Sequence, residues 1–239
     1  MMGAVLHRIG RLLLAALAFV VLLLAAAAVA GARPEGANMN AIPLPPPRLV
    51  GHVPLEQALQ QRRTVREFSG APLALADLGQ LLWAAQGVTG ADDHRTAPSA
   101  GALYPLELVV VAGNVAGLAP GTYAYVPARH ALTMLAAGDR RAAVAAAALD
   151  QRWLEAAPAV VVFCAVPART TRKYGSRGIQ YIYIETGHAA QNLLLQAQAL
   201  GLGAAPVGAF DEARLARALP LAAGWAPLYV MPVGTPARR

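Results

Sequence analysis

Arg62, Arg63, Thr64 and Arg66 fall within five residues, in the run Arg62-Arg63-Thr64-Val65-Arg66-Glu67-Phe68. A guanidinium is always charged, and its planar fork matches phosphate oxygens. A threonine hydroxyl adds a hydrogen bond to the same anion, so the run reads as a seat for a phosphorylated ligand. Its alternative is a solvated basic helix end that offsets the helix dipole. A second set lies in Arg172-Lys173-Tyr174-Gly175-Ser176-Arg177-Gly178. Lysine and tyrosine both serve as general acid or base when their surroundings lower their pKa values. The alternative there is a solvated loop.

Two further stretches carry small residues. Arg95-Thr96-Ala97-Pro98-Ser99-Ala100-Gly101-Ala102-Leu103-Tyr104-Pro105 precedes an apolar run. Its small side chains let backbone approach a flat ligand, and N–H groups near Gly101 can donate to a carbonyl or ring nitrogen. The stretch from Gly201 to Phe210 holds Gly201, Gly203 and Gly208 and allows another close approach. It lacks the strand-before, helix-after setting of a dinucleotide fingerprint. No G-x-G-x-x-G, Walker or G-x-S-x-G motif occurs, so neither a Rossmann site nor a serine hydrolase is supported.

These residues must be positioned by elements legible in the hydrophobic periodicity. Residues 55–61 and 73–86 read as helices, the second with Leu75, Leu78, Leu81, Leu82 and Ala85 on one face. Residues 106–112 and 158–166 read as strands. Residues 122–126 and 131–135 form a hairpin around Pro127-Ala128-Arg129-His130. Residues 140–156 read as helix, and residues 181–200 as a long helix stopped by Gly201. Residues 211–219 read as a short helix capped by Asp211, and 227–233 as the last strand. Hairpin-like connections favour an α+β sheet over a doubly wound parallel one.

Composition narrows the class. Of 239 residues, 56% are apolar and 14% charged, which excludes a disordered chain. The formal charge is +7. No Lys/Arg block with interleaved aromatics accompanies it, so an anionic cofactor or substrate is favoured over nucleic acid. Cys164 is the only cysteine and sits in an apolar run, where packing is its expected role. Residues 12–30 are uncharged, and His7, Arg8 and Arg11 precede them. A helix of that length comes close to bilayer thickness, so residues 1–30 read as a transmembrane anchor or signal segment. The domain is then expected to be membrane-anchored or exported, on the non-cytoplasmic side. Residues 31–53 read as a Pro/Gly-rich linker and 54–239 as the folded domain.

Taken in order, the motifs resemble the nitroreductase fold family of flavin enzymes, nearest to the azoline-oxidising dehydrogenases of the SagB/ThcOx type. The resemblance rests on Arg62-Arg63-Thr64-x-Arg66-x-Phe68, on Leu-Leu-Trp-Ala-Ala-Gln-Gly over 81–87 and on the 95–105 stretch. Lys173-Tyr174-Gly175-x-Arg177-Gly178 and Glu185-x-Gly187-His188-Ala-Ala-Gln191-Asn192-Leu193 complete it. It implies an α+β fold with a mixed, mostly antiparallel sheet flanked by helices, in an intertwined homodimer with FMN at the interface. It implies that Arg62, Arg63, Thr64 and Arg66 hold the FMN phosphate and ribityl chain. Pro98, Ser99, Ala100 and Gly101 of the partner subunit would face the ring, and Val207, Gly208 and Ala209 would meet its other face or N5 edge. Arg238 or Arg239 would return to the phosphate.

The same resemblance makes Lys173 and Tyr174 the catalytic pair, taking a proton while a hydride passes to flavin N5. Lys173 is the sole lysine of the chain, and arginine could not release a proton in its place. The implied activity is an FMN-dependent oxidoreductase with a ping-pong cycle. Its substrate would be a small molecule or peptide-derived ring, with NAD(P)H or another donor or acceptor. Two other readings stand beside it: a non-catalytic exported flavin- or ligand-binding protein, and a membrane-tethered lipid-interacting protein. Glu185 and His188 have a Glu-x-x-His spacing, but a single copy cannot build a di-iron site, so structural hydrogen bonding is expected and no metal. Trp83, Trp153 and Trp225 are expected in the core or an interface.

Overall fold

The computed structural model describes residues 41–90 and 92–237. Its centre is a seven-stranded sheet in the order β1-β6-β5-β3-β7-β9-β8. The strands are β1 (Ala41–Pro43), β3 (Leu106–Ala112), β5 (Gly121–Val126), β6 (Ala131–Ala137), β7 (Ala159–Ala165), β8 (Gly203–Ala204) and β9 (Ala226–Gly234). Every neighbouring pair in this sheet is antiparallel. Among the described residues the only parallel ladder is a separate two-residue pair, β2 (Leu73–Ala74) with β4 (Val115–Ala116). The α+β architecture expected from the hairpin-like connections is therefore observed.

β3 and β7 are buried along nearly their whole lengths because helices cover both faces. Side chains alternate across a sheet. Leu108, Val110, Val161 and Phe163 thus join one cluster, with Leu78, Leu81 and Leu82 of α2 (Leu75–Gln86) and Ala189 and Leu193 of α5 (Arg177–Ala199). Val109, Val111, Val160, Val162 and Cys164 join the other, with Val144 of α3 (Arg141–Ala147) and Leu215 of α6 (Glu212–Ala218). A continuous apolar run with no polar alternation is what a two-sided strand requires. Burial pushes the Cys164 thiol pKa up, in keeping with a packing role.

Three elements differ from the sequence reading. Residues 140–156 do not form one helix. α3 ends at Ala147, Leu149 and Asp150 take positive φ of 57° and 56°, and a 3-10 turn, Arg152–Ala156, follows. The long helix starts earlier than residue 181, at Arg177, and runs for 23 residues. Before it, α4 (Pro167–Tyr174) occupies part of the stretch read as a loop, with Pro167 in its first turn. Gly175 at φ 56° breaks the two helices apart. Gly178 lets them pack, since a Cβ there would lie 3.1 Å from the Thr170 carbonyl carbon.

The third difference concerns residues 41–53, read as linker. Ala41–Pro43 pairs with β6 as an edge strand, where a proline at the end costs no ladder bond. Leu44 N donates to His130 O at 3.0 Å, and a His130 ring nitrogen lies 3.0 Å from Pro45 O. Arg48 and Gln80 exchange hydrogen bonds of 2.7 and 3.1 Å. The segment from Pro43 to Arg48 thus docks on the domain.

The membrane expectation is corrected. Among the described residues no helix is long and apolar enough to cross a membrane, so an anchored or exported placement on the non-cytoplasmic side is not supported. Residues 1–30, on which that expectation rested, lie outside the described residues.

Candidate active site

The expected site residues fall into two groups. The first forms where α1 (Leu55–Gln61) ends. Arg62 caps it, its N–H donating to Ala58 O at 2.9 Å. The chain then runs extended, and Thr64 pairs in parallel with Ala204 while Val65 N donates to Ala204 O at 3.0 Å. Glycine is required opposite, because a Cβ on Gly203 would sit 2.6 Å from the Val65 Cβ. The arginine run and the glycine-bearing segment therefore lie side by side. Beyond that bridge, Val207 and Val230 exchange backbone hydrogen bonds of 2.8 and 3.0 Å. Ala209 O accepts from Gln151 Nε2 at 3.3 Å.

Among the described residues no carboxylate pairs with the charge at this group. Arg63 donates only to the carbonyls of Gln60 and Arg62, both at 2.9 Å, and Arg66 lies 5.8 Å above the Trp153 ring. Arg63, Thr64 and Arg66 are exposed and Arg62 is half-buried. The ion pairs of the described residues involve other arginines. Three cations and a hydroxyl with no carboxylate partner, beside a flat glycine-containing edge, fit a phosphate.

The second group forms around Gly101. It has φ 63° inside the 3-10 turn Ala100–Ala102, and a Cβ there would stand 2.7 Å from Tyr174 Oη and 2.9 Å from Lys173 Nζ. Only a residue without a side chain lets this loop lie against both groups. Ala102 and Tyr104 also take positive φ, 54° and 45°, at a cost of about 1 kcal/mol each. Their surroundings hold them there. Tyr104 N donates to Ser99 Oγ at 2.9 Å, and Tyr104 O accepts from Arg169 Nη1 at 3.0 Å. The Arg95 guanidinium covers the Tyr104 ring at 4.5 Å, and Arg169 also pairs with Glu107.

Helix α5 backs this group. The Tyr181 ring meets the Tyr174 ring edge-on, with centroids 5.1 Å apart, and Lys173 Nζ lies 5.3 Å from the Tyr174 centroid. Glu185, one turn further along α5, is 2% exposed. Burial pushes its carboxyl up to about 7, against the opposing pull of a Ser99 hydrogen bond and the Arg95 charge. Its Oε1 has no hydrogen-bond partner among the described residues. Arg95 Nη1 donates to the buried Gln86 Oε1 at 2.7 Å. Sequence reading gave Glu185 only a structural role and missed the Arg95–Tyr104 clamp and Trp153 beneath Arg66. Each depends on tertiary neighbours with no local spacing signal.

The two groups are far apart within one chain. Thr64 sits beside Ala204, which pairs with Val233, which pairs with Ala159 at the start of β7. Pro105 O accepts from Val166 N just past the far end of that strand. A seven-residue strand spans about 20 Å, so the two groups lie toward opposite ends of β7. A groove of about 340 Å³ is lined by Leu55, Trp83, Asn192 and Leu195 among others, and by none of the expected site residues. Arg238 lies outside the described residues.

Known proteins share this fold. A family model described as the nitroreductase family matches residues 59–235. A protein of Methanocaldococcus jannaschii named as a nitroreductase is 42% identical over 185 residues, covering 77% of this chain and 92% of that protein. A Ralstonia eutropha crystal structure, also named as a nitroreductase, superposes with a TM-score of 0.73 at 30% identity, covering 85% of this chain and 93% of that one. Two more share the fold. One is the Escherichia coli microcin synthetase McbBCD complex with a truncated pro-MccB17 bound (TM-score 0.65, 24% identity, 81% and 77% covered). The other is the NADPH:FMN oxidoreductase of Vibrio harveyi complexed with NAD+ (TM-score 0.56, 21% identity, 77% and 69% covered).

Proposed function

The chain belongs to the nitroreductase family and is an oxidoreductase of the flavin type, and from that premise we propose that it is an FMN-dependent dehydrogenase of the azoline-oxidising kind, active as a homodimer. The observation that carries this reading is the packing of Gly101 against both Lys173 and Tyr174. It brings the only lysine of the chain and an adjacent phenol to the loop that the resemblance assigns to the flavin face.

Arg62, Arg63, Thr64 and Arg66 would hold the phosphate and ribityl chain, and the backbone of Val207, Gly208 and Ala209 would lie beside the ring. Pro98, Ser99, Ala100 and Gly101 of a second copy would complete the flavin site, consistent with the strand length that separates the two groups in one copy. Arg238 is assigned to the phosphate on the resemblance alone. When bound, the flavin supplies the redox chemistry by accepting a hydride equivalent. Lys173 and Tyr174 take the proton that must leave the same substrate, so that hydride and proton together amount to a two-electron oxidation. Lys173 holds Nζ near the phenol ring, and Tyr181 fixes the other edge of that ring. Substrates of this class are small molecules or ring-bearing peptides, and an oxidising acceptor that takes the hydride equivalent from the reduced flavin would close the ping-pong cycle. The catalytic domain is read as residues 54–239.

Lys173→Ala and Tyr174→Phe test the assignment. Both are expected to retain FMN, as read by flavin absorbance after gel filtration, and to slow oxidation of a thiazoline-bearing peptide by about 100-fold or more. Full activity in both variants would remove the pair from the mechanism.

A further inference from the structure

The elbow between α4 and α5 gathers positive charge without matching carboxylates. From residue 156 to residue 184 the sequence holds no aspartate or glutamate, yet Arg169, Arg172, Lys173 and Arg177 all fall there. Arg169 is accounted for, since it pairs with Glu107 and donates to Tyr104 O at 3.0 Å. Arg172, Lys173 and Arg177 are exposed, and none takes part in an ion pair among the described residues. Helix stability explains them only in part. Arg172 and Lys173 suit the last turn of α4, where cations offset the helix dipole. Both are also like-charge neighbours of Arg169 at three- and four-residue spacing, which costs stability. Arg177 opens the 23-residue α5, whose first turn holds no acidic residue, and a cation is disfavoured at that end. Their place beside the expected catalytic pair is specific. Lys173 Nζ lies 5.3 Å from the Tyr174 ring centroid, and the Tyr174 ring meets Tyr181 edge-on at 5.1 Å. The Arg177 guanidinium in turn lies 5.5 Å from the Tyr181 centroid. Two cations therefore bracket a pair of half-buried phenol rings, with Arg172 next to Lys173.

We propose that Arg172 and Arg177 are specificity-determining residues, which recognise a carboxylate carried by the substrate beside the ring to be oxidised. The inference rests on the reading of Lys173 and Tyr174 given above, and it narrows the substrate class to acidic ring compounds and acidic ring-bearing peptides. The cofactor does not call for these cations, because its phosphate is assigned to Arg62, Arg63, Thr64 and Arg66, toward the other end of β7. A guanidinium fork takes a carboxylate through two parallel hydrogen bonds, which fixes orientation as well as charge. Tyr174 and Tyr181 offer ring surface against which a planar heterocycle can pack. Exposed, unpaired cations also draw an anion to the site from solution, and that attraction weakens with salt.

Lys173 supplies a reporter that needs no turnover. It is the only lysine, so its acylation by acetic anhydride at one fixed pH is read site-specifically by peptide mass spectrometry, separately from the N-terminal amine. In the full chain, thiazole-4-carboxylate is expected to slow Lys173 acylation by about threefold or more at low ionic strength, and less at high salt. Its neutral carboxamide is expected to give no protection. Arg172→Gln combined with Arg177→Gln is expected to abolish the protection, while Arg214→Gln, the same charge change on an exposed residue of α6, keeps it. In turnover, the double variant is expected to raise KM for a thiazoline carboxylate by about tenfold, with kcat nearly unchanged and the carboxamide unaffected. Equal protection by acid and amide, protection by neither, or protection that survives the double substitution would overturn the proposal. Stronger protection by inorganic pyrophosphate than by the carboxylate would assign the arginines to a phosphorylated ligand, and would overturn it too. Arginine-dependent protection in a chain that binds no FMN contradicts the proposed function and leaves the carboxylate site standing. An FMN-bound chain without protection overturns this inference alone.

Discussion

At the residue scale, the site depends on charges that fold stability does not require. Arg66 is exposed, lies 5.8 Å from the Trp153 ring centroid and has no carboxylate partner among the described residues. Arg66→Ala should therefore leave the melting temperature nearly unchanged and raise the FMN dissociation constant by about tenfold or more, as for a lost charge-assisted hydrogen bond. Flavin fluorescence titration measures this, and unchanged affinity would remove the phosphate-seat assignment. Glu185 has the opposite profile, being buried and costly. Its folded pKa of about 7 lies above the ordinary 4.5, so the folded protein keeps a proton that the unfolded chain releases. The resulting stabilisation is fully present below about pH 4.5 and is lost as pH rises through about 7, a swing on the order of 3 kcal/mol. Melting curves should fall across that window more steeply in the wild type than in Glu185→Gln, and parallel curves would count against the raised pKa.

At the element scale, Gly101 is the joint on which the second group turns. Gly101→Ala places a side chain at φ 63° and against the ends of Tyr174 and Lys173. The strain costs about 1 kcal/mol, and the two flexible side chains must move aside. Turnover is expected to fall by more than that stability loss accounts for, measured by thermal melts beside steady-state kinetics; equal losses would mean the pair tolerates displacement. The elements carrying these residues were largely legible. Continuous apolar runs marked β3 and β7 because both faces are covered, and Asp211 announced α6, its Oδ1 accepting from Arg214 N at 2.8 Å. The misread stretches fail for tertiary reasons. Alanine-rich residues 140–156 have helical composition throughout, yet Leu149 and Asp150 turn the chain so that Leu154 enters the core. The prolines at 43–47 resemble a linker, but the His130 ring and Gln80 hold that segment from distant parts of the chain. The Thr64–Ala204 bridge joins residues 140 apart, and no local pattern announces it.

At the scale of the whole molecule, the two residue groups of the proposed site lie toward opposite ends of β7, and the homodimer proposed above would bring a second copy's loop to the first group. Helix α5 offers a surface for it, with Tyr183 and Ile184 58% and 53% exposed beside Ile179. Charge placed there, as in Ile184→Glu combined with Tyr183→Glu, is expected to give a monomer by sedimentation velocity and to lose FMN along with the partner. A monomeric variant that keeps full flavin affinity would show that one copy holds the cofactor alone. The central claim is the flavin itself. The most direct test is an absorption spectrum of the purified chain, before and after addition of FMN, with mass spectrometry of any released cofactor. Flavin bands and an FMN mass are the predicted result. A protein that stays colourless after FMN is added and removed by gel filtration would contradict the account, leaving a nitroreductase fold without its chemistry.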